Sequence, residues 1–133
     1  MVPNNLRTWF IIHFCVDIVA GLPLLLFPQW VAEQFHFNLG EPFIARLVAA
    51  AFLAIGTTSL LRRNDSMESY RAMLTLKILW SSLALFGLFL SLAQGASSAV
   101  YGPIGIFAVF WALWVYYFVK IKKTTDTSKQ TTK

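Results

Sequence analysis

The sequence predicts an all-α membrane protein, a bundle of four transmembrane helices. Three observations carry this. The chain is 133 residues long and 57% hydrophobic, against about 45–50% for a soluble domain. Its apolar residues gather into four stretches, each near the roughly 20 residues that cross a bilayer as a helix. The connections between them differ in charge. The segment from Arg62 to Arg71 holds three arginines, and Lys120, Lys122 and Lys123 follow the fourth stretch. The connections after the first and third stretches hold no Lys or Arg. Lys and Arg are retained on the cytoplasmic side, so the expected orientation is N-in/C-in.

The first span is expected over about 7–27. It retains Asp17 inside its apolar run and lacks a small-x-small cleavage site, so it reads as a helix and not a signal peptide. Pro23 falls in its last turns and is expected to kink it or end it early. A short interfacial segment should follow over 28–42. There Trp30, Phe35 and Phe37 alternate with Gln29, Glu33 and Gln34, a pattern suited to the headgroup layer. The second span, about 43–61, carries the small-xxx-small pairs Ala45/Ala49 and Ala50/Ala54. Such pairs let helix backbones approach closely.

The third span is expected over about 72–93 and the fourth, rich in aromatics, over about 104–119. No charged residue lies between Ile78 and Val119. Gly95, Gly102 and Pro103 nevertheless mark a hairpin between these spans. Residues 1–123 should form one bundle and 124–133 a disordered tail, since that tail has no apolar residue.

Several functions are disfavoured. The net charge of +5 sits where orientation demands it and against anionic lipid, so nucleic acid is not an expected partner. Cys15 is the single cysteine and cannot close an intramolecular disulfide. No nucleophile lies beside a base in a recognisable arrangement. The chain therefore reads as non-enzymatic and without a cofactor.

Ionisable residues within spans give the best functional lead, because each is costly there and usually faces the bundle. The candidates form an expected buried polar cluster of His13, Asp17, Arg46 and Lys77. His13 and Asp17 are four residues apart on one helix face, which Ala20, Gly21 and Leu24 continue. Lys77 is placed to reach Asp17 or to snorkel to the interface. Arg46 is placed to pair with Glu41 or to reach towards Asp17. The cluster serves either to fix helix register or to carry protons and bind a polar ligand, and the register role is favoured. One His and one Asp supply too few ligands for a metal. The Asn64-Asp65-Ser66 sequon is expected on the cytoplasmic side and unused.

The run Gly21-Leu22-x-Leu24-Leu25-x-Phe27-Pro28, followed by Arg46-Leu47-Val48-Ala49-Ala50-Ala51-Phe52-Leu53-Ala54-Ile55-Gly56, resembles the small DoxX-like four-helix membrane proteins. The resemblance covers about residues 9–62 by motif and the whole chain by hydropathy and length. It implies a left-handed four-helix bundle and functions that include accessory subunits of membrane redox assemblies. Asp17 and Lys77 are not carried over from it.

The expected function is a non-catalytic accessory or scaffold subunit, with membrane lipids and a membrane protein or a second copy as partners. A proton-coupled transporter working as a homodimer through Asp17 is the alternative. An acid in the first of four short helices resembles the small multidrug resistance transporters, which use glutamate and whose dual-topology members need weakly biased loops. A lipid-binding role is the third reading. The plasma membrane or a bacterial inner membrane is the favoured location.

Overall fold

The structure is a computed structural model that describes residues 2–130. The described residues hold helices and no strand. The helices are α1 (Asn4–Leu26), α2 (Pro28–Gln34), α3 (Pro42–Leu61), α4 (Met67–Ala93) and α5 (Tyr101–Gln130), with a 3-10 turn at Ser98–Val100 before α5. Four helical stretches, Asn4–Leu26, Pro42–Leu61, Met67–Ala93 and Ser98–Lys122, are long and apolar enough to cross a membrane. At most 22% of the most apolar window of any of them is buried within the protein. Their apolar side chains therefore point mainly outward, as lipid contact requires and water would penalise.

The all-α architecture of four long apolar helices is the one the sequence predicts, and its contacts gather into two compact units, one over Pro3–Asp65 and one from Ser66 onward. In the first unit α1 packs on α3. The pairing is antiparallel: Asp17 meets Gly56, Gly21 meets Leu53, and Arg46 reaches Leu25. The buried residues of α1 are Leu6, Phe10, His13, Asp17 and Gly21, spaced by three or four and so on one face. Ala45, Ala49, Gly56 and Ser59 form the buried face of α3. Ala45/Ala49 is thus the small-residue pair that lies inside, while Ala50 and Ala54 are exposed. Ala20, expected on the buried face of α1, is exposed as well.

Pro23 does not end α1, which runs three residues further to Leu26. The chain breaks at Phe27, and α2 starts on Pro28, where a missing N–H costs nothing. α2 closes in a Schellman motif. The Phe37 N–H donates to the Ala32 carbonyl, the His36 N–H donates to that of Glu33, and His36 takes φ of 53°.

In the second unit α4 packs on α5, again antiparallel, since Lys77 meets Trp114 and Ser82 meets Trp111. Ser66 caps α4 by accepting from the Ser69 N–H, and Glu68 lies in its first turn. At the other end Gly95, with φ of 85°, closes a second Schellman motif: the Ala96 N–H donates to Ser91 and that of Gly95 to Leu92. The hairpin is where the sequence puts it.

Two limits of α5 differ from expectation. It begins at Tyr101, with Pro103 inside its first turn, because the first four N–H groups of a helix have no internal partner and Pro forfeits nothing there. It also continues to Gln130, through most of the expected disordered tail. No Pro or Gly follows Gly105 to stop it. The last of that tail, 131–133, lies outside the described residues.

Candidate functional site

His13 and Asp17 sit one turn apart on the buried face of α1, and the His13 Nδ1 lies 2.7 Å from the Asp17 Oδ2. Each side chain is about nine-tenths buried. The contact has the distance of an ion pair without the angular geometry of a hydrogen bond, and Oδ2 takes no hydrogen bond among the described residues. His13 is the polar neighbour that offsets burial of the carboxylate.

The other wall of this site is α3. A Cβ placed on Gly56 would stand 2.7 Å from both the Cβ and the Oδ2 of Asp17. A hydrogen in place of a side chain is what lets α3 approach Asp17. One turn towards the end of α1, a Cβ on Gly21 would lie 3.0 Å from the Leu53 side chain and 3.4 Å from the Ala49 carbonyl. Gly21, Ala49 and Gly56 together bring the two backbones close, so α3 packs directly against Asp17.

Arg46 does not join this pair. It is exposed, and its Nε donates to the Leu25 carbonyl at 3.3 Å. The last four carbonyls of a helix lack internal partners, and a cation is favourable at that end. Arg46 thus ties the start of α3 to the end of α1. It makes no ion pair with Glu41. Both side-chain partners expected for Arg46 are replaced by a backbone oxygen.

Lys77 lies in the second unit and is 1% exposed. Its Nζ stands 4.9 Å from the centroid of the Trp114 ring, which is fully buried. Phe110 stacks on Trp114 at 5.7 Å between centroids. An aromatic face attracts a cation, more strongly when both are desolvated. Lys77 therefore does not snorkel along α4. Composition gave no sign of this pairing, because the tryptophan lies 37 positions away.

Of the expected interfacial residues, Trp30 and Phe35 are exposed and Phe37 is half-buried. Ala32 and Pro28 form the inner side of α2. Beside Trp30 opens an apolar groove of about 470 Å³ lined by Leu22, Pro23, Leu26, Phe27 and Trp30. A second recess of about 390 Å³ shares Leu26, Phe27 and Trp30 with it and adds Gln29, Glu33 and Arg46. The sequence singled out these residues for anchoring, and the recess was not visible in it.

No protein-family model, curated protein or solved structure matches the chain. Among the described residues no three His, Cys, Asp or Glu side chains come together as a metal site.

Proposed function

We propose that this small multi-pass membrane protein is a non-catalytic accessory or scaffold subunit of a membrane complex. The observation that carries the reading is the enclosure of Asp17. An acid within a span is by default a candidate for ion or ligand handling. Here it contacts His13, and α3 stands so close that a methyl group on Gly56 would collide with it. That packing supports a part in fixing the register of α1 against α3. It leaves no room between these helices for a substrate, which weighs against transport through Asp17.

The outward surface supports the same reading. Ala50 and Ala54 form an exposed small-residue pair on α3, beside exposed Phe43 and Leu47. Such a face suits close packing against another transmembrane helix. The likeness to DoxX-like proteins belongs to this proposal, since Gly21, Arg46 and Gly56, which carry it, all serve the α1–α3 contact.

The test is native mass spectrometry of the tagged protein, extracted gently from its own membrane. A fixed stoichiometry with a different protein is the expected result. A homodimer without a partner, together with pH-dependent ligand binding lost in folded Asp17→Asn, would replace this reading with transport.

A further inference from the structure

We propose that the corner between the end of α1, α2 and the start of α3 binds one zwitterionic aminophospholipid. Its phosphate would lie on Arg46, its ammonium on Glu33, and an acyl chain in the groove of Leu22, Phe27 and Trp30. This does not rest on the subunit reading, because every residue involved lies in the first unit and none belongs to the Asp17 contact.

Three observations converge. The first is shape and chemistry: a wholly apolar groove runs into a recess whose lining is half polar, and the two share Leu26, Phe27 and Trp30. An amphiphile needs this sequence of surfaces, with hydrocarbon at one end and a polar head at the other. The second is charge. Glu33 and Arg46 line the same recess, yet they form no ion pair with each other. Arg46 spends its Nε on the Leu25 carbonyl, and its two η nitrogens have no partner among the described residues. The Glu33 carboxylate likewise has none. One positive and one negative group held apart in one recess complement a headgroup that carries both signs. An anionic headgroup would satisfy Arg46 and be repelled by Glu33.

The third observation is the donor inventory. Guanidinium N–H groups match phosphate oxygens and can bind them in pairs. Glu33 and Gln29 offer oxygen acceptors for N–H donors. A primary ammonium has three such donors, whereas a trimethylated one has none. The charge bias puts this corner at the outer leaflet, where Trp30 would lie at headgroup depth.

The experiment is native mass spectrometry of the full chain in detergent supplied separately with phosphatidylethanolamine, phosphatidylcholine and phosphatidylglycerol of identical acyl chains. One phosphatidylethanolamine should be retained, about tenfold more tightly than either of the others, the difference that one charge-assisted hydrogen bond makes. Glu33→Gln alters an exposed side chain without partners, so the fold should persist. It should abolish the preference of phosphatidylethanolamine over phosphatidylglycerol. Arg46→Gln should weaken all three lipids, and Arg46→Lys should restore part of the binding. Equal retention of the three lipids, or a preference untouched by Glu33→Gln, would overturn the proposal.

Discussion

Asp17 of α1 and Gly56 of α3 occupy a space that holds one side chain and not two. A Cβ on Gly56 would come within 2.7 Å of the Asp17 Cβ, an atom fixed to the α1 backbone. Relief cannot come from rotating a flexible side-chain tip. The helices themselves would have to separate.

Gly56→Ala should therefore destabilise the protein by about 1–3 kcal/mol, the cost of overpacking a closed site. Gly87→Ala is the matched control, since nothing stands within 4 Å of a Cβ there. It should be neutral or stabilise by about 0.5–1 kcal/mol, because alanine restricts the unfolded chain more than glycine does. Unfolding of both variants in mixed micelles with denaturing detergent gives the comparison. Equal stability of the two would sink the claim of close approach.

The His13–Asp17 contact predicts an order among variants. His13→Leu alone leaves a buried carboxylate without its neighbour and should be the most damaging, by about 3 kcal/mol or more. Asp17→Asn should cost less. The double variant His13→Leu/Asp17→Leu should recover much of the loss, because an apolar pair carries no desolvation penalty. With Asp17→Leu as the matching single variant, a double variant as damaged as the sum of His13→Leu and Asp17→Leu would show that the two residues do not interact.

Lys77 and Lys120 should differ in chemical reactivity. Lys77 is buried over Trp114, whereas Lys120 is exposed near Tyr116, with 5.7 Å between Nζ and the ring centroid. Brief acetylation of the folded protein in detergent, read by peptide mass spectrometry, should modify Lys120 and spare Lys77 until the protein is unfolded. Rapid modification of Lys77 would contradict its burial.

The expected orientation can be read with single cysteines in a Cys15→Ser background. Asn38→Cys should react with an impermeant maleimide applied to intact cells, and Asn64→Cys only after permeabilisation. The reverse pattern, or a glycan on Asn64, would invert the topology.

The main features of the fold were legible in the sequence because hydrophobic length and loop charge are strong, local signals. The α4–α5 turn was legible through Gly95, whose left-handed backbone few other residues accept. His36 fills the same role at the end of α2 and left no such mark. Over 124–130 the backbone is helical although the segment has no apolar residue, and hydropathy alone carries no signal for that. At the candidate site, His13 and Asp17 were found by their spacing on one helix. Arg46 donates to a backbone carbonyl, which every residue carries and no pattern reveals. Gly56 was seen as a small residue, but its facing Asp17 depends on the register of two helices, which the sequence of neither one states.

The enclosure of Asp17 also bears on how the chain enters the membrane. While α1 is alone in the translocation machinery, its acid has His13 beside it and no second helix to cover it. A carboxylate at the centre of a lone span opposes insertion by about 2.5–3.5 kcal/mol. Cover arrives only when Gly56 has been synthesised, 39 residues after Asp17. α1 should therefore leave the translocon late and enter lipid together with α3, as a hairpin. Chains truncated before and after Gly56, scored for carbonate-resistant integration, should differ sharply, and Gly56→Leu should behave like the shorter chain.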